Sequence, residues 1–247
     1  MRALSAAELL EVWEAGFAQA STERALALLA AACPESSRDT LAAMSIGRRD
    51  AELLALRDAL WGPRMEAVVV CPGCRDRLEM ALNTREFLSC PQPALPGAIS
   101  LSMAGYDVSF RLPTTLDVME AAGQAGTGDQ ESCPRLVFQR CLLSARQGNE
   151  SVTPDQLPAE VVDGIAKRMG EADALAEIQL QVTCPSCQHA WRALFDVVSF
   201  LWTEIEVWAW RILSDVHTLA SAYGWDERDI LALSPTRRQF YLEMVGA

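Results

Sequence analysis

Apolar residues recur every three or four positions at both ends of this chain and every second position in its middle. At the start, Leu9, Leu10, Trp13 and Phe17 share one helical face. Ser5-Ala6-Ala7-Glu8 reads as the capping box that opens this helix, the Ser oxygen taking the N3 amide and the Glu reaching back. A second helix is predicted from about Thr22 to Ala32, with Leu26, Leu28 and Leu29, and Pro34 limits it. A third begins near Arg49 or Asp50, carries Leu53, Leu54, Leu56 and Leu60, and stops at Trp61-Gly62-Pro63. At the far end, Ile205, Trp208, Ile212, Val216, Leu219 and Tyr223 form one long apolar stripe. Gly224 suits the residue just past that helix, and Trp225 can fold back on its last turn. Asp226 caps a short helix with Ile230 and Leu231, and Ser234-Pro235 starts a last one carrying Phe240, Tyr241 and Met244. Trp202 and Trp210 fall off the stripe, toward another element of the chain or a partner subunit.

The middle reads differently. Ala67-Val68-Val69-Val70 leads into Cys71-Pro-Gly-Cys74, and Leu78-Glu79-Met80-Ala81-Leu82 follows. Ile178-Gln179-Leu180-Gln181-Val182 leads into Cys184-Pro-Ser-Cys187, and Trp191-Arg192-Ala193-Leu194-Phe195 follows. Strand, tight turn, strand is used twice. Between these hairpins lies a Pro-rich loop from Cys90 to Gly97. A β-hairpin follows over Ile99–Met103 and Tyr106–Leu112, where Val108, Phe110 and Leu112 alternate with polar residues. Then come a short helix over Leu116–Ala122, a mobile loop over Gly123–Ser132 and a helix over Pro134–Ala145. Thr153-Pro154-Asp155-Gln156 starts another helix, Pro158 opens one that runs to about Met169, and a short helix covers Ala172–Ala176. The predicted fold class is α+β, with helical N- and C-terminal regions around a split zinc ribbon of two β-hairpins and an α+β insertion. The predicted regions are 1–62 (N-terminal helices), 63–90 and 177–198 (the hairpins), 91–176 (the insertion) and 199–247 (C-terminal helices). Apart from the hairpins no repeat is visible.

The two Cys pairs are the strongest chemical signal. A C-x-x-C turn aims two thiolates at one point, and two such turns facing each other supply a closed tetrahedral zinc site. Cys71, Cys74, Cys184 and Cys187 are therefore the expected metal ligands, with structural zinc as the cofactor. Cys74 and Cys184 stand 110 positions apart, against roughly 15–20 in a compact ribbon. The matched flanking strands keep the pairing plausible. A redox C-x-x-C and a disulfide framework are the alternatives, although a thioredoxin-type motif opens a helix whereas a strand is expected here. His189 could replace one sulfur but falls within the predicted returning strand.

Composition narrows the function. Half of the 247 residues are hydrophobic, enough for a sizeable core. Lys and Arg number 21 against 33 Asp and Glu, a formal charge of −12. That balance argues against phosphate backbones as the main partner and suits protein partners. Glu8, Glu11 and Glu14 in a helical pattern do not read as a signal peptide. No apolar run approaches membrane-spanning length; the tract Val197–Trp202 stops at Thr203-Glu204. A reducing, cytoplasmic compartment is expected, with Cys33, Cys90, Cys133 and Cys141 as free thiols and Cys141 as small core filler.

No catalytic constellation emerges. There are two histidines, and His217 lies on the long C-terminal helix beside the stripe. No nucleophile elbow, P-loop or dinucleotide fingerprint is present. Gly123, Gly126 and Gly128 only mimic a phosphate loop, since no strand precedes them. Glu204 and Glu206 point to different helix faces. Arg48-Arg49 and Arg237-Arg238 read as solvated helix ends or contacts with an acidic partner. No enzyme activity is expected.

Three stretches together resemble a known family. The first is Ser45-Ile-Gly-Arg-Arg-Asp-Ala-Glu-Leu-Leu-Ala-Leu-Arg-Asp-Ala-Leu-Trp-Gly62, running on to Cys71. The second is Tyr106-Asp-Val-Ser-Phe-Arg-Leu-Pro-Thr114. The third is Leu219-Ala-Ser-Ala-Tyr-Gly-Trp225 with Asp229-Ile-Leu231 and Arg237-Arg-Gln-Phe-Tyr-Leu242. The combination resembles the T4-family baseplate hub assembly chaperones and their relatives in phage-tail-like contractile injection systems, over about Leu4 to Val245. The resemblance implies a non-enzymatic structural or assembly protein. Its implied partners are hub, spike or wedge proteins of a contractile particle, without nucleic acid or a membrane span. The chain could oligomerise within the assembly and be incorporated in the particle. The Cys pairs are not part of what defines the phage members. A zinc-ribbon regulator or nucleic-acid adaptor, and a thiol redox protein, are the alternatives.

Overall fold

The computed structural model describes residues 1–89, 97–125 and 132–246. In chain order, helices α1 (Ala6–Gly16), α2 (Ser21–Ala32), α3 (Arg38–Ala42) and α4 (Ile46–Trp61) precede a hairpin of β1 (Arg64–Val70) and β2 (Arg77–Asn83). Then come α5 (Thr84–Leu88), β3 (Ile99–Met103), β4 (Tyr106–Phe110), α6 (Thr115–Ala125), α7 (Cys133–Cys141), β5 (Leu142–Gln147), β6 (Glu150–Ser151) and α8 (Ala159–Ala172). A second hairpin, β7 (Ile178–Thr183) and β8 (Ala190–Phe195), leads to α9 (Val197–Tyr223), α10 (Glu227–Ala232) and α11 (Pro235–Met244). The fold is mixed α+β with small sheets. It falls into two compact units, Met1–Glu35 with Val197–Ala247, and Ser36–Asp196.

The helical unit joins the two chain ends. Ser5 caps α1 as expected: the Glu8 amide donates to its hydroxyl at 3.3 Å, and its own amide donates to the Glu8 carboxylate at 2.9 Å. Leu9, Leu10, Leu26, Leu29, Ile205 and Ile212 are buried in its core. Trp202 is buried too. It lies against Gly16, where a Cβ would overlap the indole ring. The Arg24 guanidinium sits 4.5 Å above that ring and donates to the carbonyls of Gly16 and Phe17, closing the end of α1. Trp210 is 64% exposed. Leu219, Ile230 and Leu242 form a small core among α9, α10 and α11. Tyr223 and Trp225 stack with ring centroids 4.7 Å apart, so Trp225 does fold back across Gly224, whose φ is +68°.

The second unit holds a four-stranded antiparallel sheet in the order β3-β4-β5-β6. Helix α8 lays Val161 and Ile165 against Val108, Phe110 and Ala145 of this sheet. Gly164 makes the approach close: a Cβ there would collide with the Met103 sulfur. The helix predicted over Pro134–Ala145 ends at Cys141, and Leu142–Gln147 is strand β5. Leu, Ala, Arg and Gln favour helix locally, but pairing places Ala145 opposite Val108 and beside Phe110, and burial outweighs propensity. Gly123 to Ala125 continue α6 rather than opening a loop. The capped start at Thr153 yields only one 3-10 turn, Pro154–Gln156, with no helix over Ala172–Ala176, because α8 itself runs through Ala172. Helix α4 starts at Ile46, three residues early, because Ser45 caps it by accepting from the Arg48 amide at 3.3 Å. Helices α3 and α5, capped by Ser37 and Asn83, were not anticipated. The remainder of the Pro-rich loop and of the glycine tract, with Cys90, Gly126 and Gly128, lies outside the described residues.

A polar cluster is buried where α4 meets the end of α8. The Gly47 amide donates to Asp173 at 2.9 Å, and a Cβ on Gly47 would collide with that carboxylate. Arg49 pairs with Asp50 at 2.7 Å and reaches Thr115. Burial, reinforced by the charges of Asp196 and Asp173 and opposed by Arg49, pushes the Asp50 carboxyl up to about 6. Asp173 is raised by burial as well. Between about pH 4 and pH 6 the unfolded chain releases a proton that folded Asp50 retains, so rising pH lowers stability across that window. The size is about 3 kcal/mol. Asp50→Asn should flatten this part of a stability-against-pH curve measured by urea unfolding. A curve still parallel to wild type would refute the buried-acid account.

Candidate metal centre

Each Cys pair sits at the tip of a two-stranded hairpin. β1 pairs with β2 from Arg64↔Asn83 to Val70↔Arg77, and β7 pairs with β8 from Ile178↔Phe195 to Thr183↔Ala190. Both turns have the same backbone design. The Cys71 amide donates to the Asp76 carbonyl and the Arg75 amide to the Cys71 carbonyl, both at 2.9 Å. The Cys184 amide donates to His189 and the Gln188 amide to Cys184, again at 2.9 Å. The residue after the second Cys is left-handed in both turns, with φ of +68° at Arg75 and +60° at Gln188. Neither position carries glycine, so the repeated Cys spacing and its apolar flanks, not a left-handed residue type, mark the turns in the sequence.

The two tips meet. All four sulfurs lie within 4.8 Å of one another. Cys71 and Cys187 are 3.6 Å apart, as are Cys74 and Cys184, so each close approach crosses between hairpins. The thiols are free rather than bonded. A tetrahedral zinc with Zn–S bonds of about 2.3 Å needs sulfur separations of about 3.8 Å. The donor set therefore fits such an ion in number, chemistry and spacing. The first Cys of each pair is buried and the second exposed. Gly73 brings the tips together: a Cβ there would stand 3.3 Å from His189 Cβ and 3.4 Å from Cys187 Sγ. Behind the turns, Phe87 and Phe195 stack nearly parallel, with centroids 5.6 Å apart.

Protonation is uneven across the set. Amide donors of Cys187 and Ser186 hold the Cys184 thiol down at about 7. The Asp76 amide pulls Cys74 down too, but desolvation and the neighbouring sulfurs push it up to about 12. Four adjacent thiolates repel one another, and a divalent cation removes that repulsion.

Other candidates separate from this cluster. His189 is exposed, stands one residue before β8 rather than inside it, stacks on Trp191 at 6.0 Å and is not one of the clustered ligands. His217 is exposed on α9. Cys33 and Cys141 are buried and outside any disulfide, and Cys133 is half-buried. Burial, with Asp117 nearby, pushes Cys141 up to about 11, consistent with an inert core thiol. Sequence reasoning missed a second polar centre besides the buried cluster around Asp50 and Asp173. Asp117 is buried and accepts from Arg111 at 2.6 and 2.7 Å, from Arg140 at 3.1 Å and from the Thr114 amide at 2.9 Å. The Thr114-Thr-Leu-Asp117 capping spacing was its only available signal.

The profile of a protein family described as "T4 bacteriophage base plate protein" matches residues 7–202. The chain belongs to this family. No curated protein and no solved structure matches it. Membership in a T4-type baseplate family suggests a structural role in the baseplate and contacts with other baseplate components. The matched span includes both Cys pairs and the first two family-like stretches, and ends before the third, Leu219–Leu242. Among the described residues no helix is long and apolar enough to cross a membrane.

Proposed function

We propose that this chain is a non-enzymatic structural or assembly protein of a baseplate hub in a contractile, phage-tail-like injection particle. The family match over residues 7–202 carries the reading. The acidic charge of −12 supports protein partners over nucleic acid. A redox role gains nothing from the geometry, because both Cys pairs lead into strands, β2 and β8, rather than into a helix. In this reading the chain folds in the cytoplasm and meets hub, spike or wedge components there. Co-expression with those components should give a stable co-purifying complex. Recovery of the chain alone, with the particle assembling normally without it, would overturn the proposal.

Cys71, Cys74, Cys184 and Cys187 would hold one structural zinc, which supplies cross-linking and leaves no open position for substrate. Thiolate donors select a soft or borderline ion. Metal analysis of protein purified without chelator should find one zinc per chain. Cobalt substitution should produce the visible bands of a tetrahedral thiolate site. Exposed Cys74 and Cys187 give chelators access, so prolonged chelation should release the ion. Metal-free protein with unchanged melting behaviour would remove zinc from the account.

A further inference from the structure

We infer that α1 and the middle of α9 form a docking surface for a basic, apolar-tipped segment of another baseplate component; this rests on the baseplate reading above. Phe17 is 62% exposed, Trp210 64% and Val207 57%. These side chains are not scattered. Trp13, itself buried, meets Phe17 edge to face with centroids 6.0 Å apart and Trp210 with centroids 6.3 Å apart. Val207 precedes Trp210 by one turn on the same face of α9. The helical unit does not need these groups for its interior, which Leu201, Trp202, Ile205 and Ala209 already fill. A contiguous patch of Trp and Phe has the residue types that dominate binding energy at interface centres.

The rim points to the occupant. Glu14 stands one turn before Phe17 and Glu206 one turn before Trp210, so a carboxylate flanks each exposed ring. Two cations lie near: Arg211, next in sequence to Trp210, falls about 100° further around the helix, and the Arg24 guanidinium is engaged by the Gly16 and Phe17 carbonyls and the Trp202 ring. A second copy of this chain would set carboxylate against carboxylate on a background charge of −12. A segment with one or two apolar side chains flanked by Lys or Arg covers the rings and pairs the carboxylates together.

The test uses the full chain co-expressed with hub, spike and wedge components. Three forms are compared: wild type, Phe17→Ser with Trp210→Ser, and Glu14→Lys with Glu206→Lys. A photo-crosslinking residue at Val207 maps the contact by mass spectrometry. Both double variants should keep the wild-type circular dichroism and melting point, since the sites are on the surface. Each should lose about tenfold or more in partner affinity. Wild-type binding should weaken with salt. The crosslink should fall in a partner segment that combines apolar and basic residues. Undiminished recovery of partners by both variants, or a crosslink to a second copy or to a segment without basic residues, overturns the inference and leaves the baseplate reading standing. Failure of wild type to bind any particle component overturns both.

Discussion

Replacing Cys71 and Cys74 by Ser should yield insoluble or protease-sensitive protein. Each hairpin has only two strands, and neither is hydrogen-bonded into the four-stranded sheet. A lone hairpin is marginal in water. The sulfur cluster, the Gly73 contact and the Phe87–Phe195 stack help to join these two, far apart in sequence. Structural zinc contributes apparent binding energies of about 10–16 kcal/mol in small zinc domains, and that energy appears as folding energy. Even a loss of about 5 kcal/mol would lower the melting point of a chain this size by about 10–20 °C. Limited proteolysis should cut first within Arg64–Asn83 and Ile178–Phe195. Chelation of wild-type protein should reproduce the pattern, which separates loss of the ion from loss of a side chain. A soluble double variant with unchanged melting point would mean that the stack and the turn contact suffice without metal.

The reach of the sequence followed the range of the interactions. Caps and turns are local, so Ser5, Gly62 and Gly224 were readable, and the matched flanks of the Cys pairs gave away two hairpins with no long-range information. The meeting of those hairpins across 110 positions rested on the coordination appetite of four thiols and the likeness of their flanking strands, and the sulfurs do converge. Strand β5 was not readable, because its residues suit a helix and only the partner strand β4 makes them extended. Trp202 and Trp210 looked alike as residues off the stripe. Only the fold separates them, burying one against Gly16 and leaving the other exposed. The buried acids fared worst. Nothing in the sequence sets Asp50, Asp117 and Asp173 apart as buried in a chain rich in Asp and Glu, since burial is a tertiary property with no local mark.

Asp117→Ala should cost about 2–3 kcal/mol, because it removes a buried carboxylate held by charge-assisted hydrogen bonds from two half-buried arginines. Asp117 is 1% exposed and holds Arg111 in a two-pronged contact, with Arg140 bound to the same carboxylate and also to Glu120. Removing it leaves Arg140 with Glu120 and Arg111 with the Leu112 carbonyl, and leaves the Thr114 amide without its acceptor. Asp117→Asn keeps the shape without the charge and should fall between Ala and wild type. The two also differ from wild type in pH dependence. Burial alone would raise this carboxyl, but Arg111 and Thr114 outweigh it and hold the group well below the usual carboxylate range. The folded value is thus depressed. The stabilisation is full above the unfolded value of about 3.9 and declines as pH falls below it. Unfolding of wild type by urea between pH 2 and pH 7 should therefore show a loss at the acid end that Asp117→Asn lacks. Because Asp50 acts in the opposite sense between about pH 4 and pH 6, the wild-type curve should peak near the foot of that window, and the Asn variant should lose the rising limb. Equal stability of Asp117→Ala and wild type at neutral pH would mean that the two arginines find other partners, and that β4, α6 and α7 are held by their apolar contacts alone.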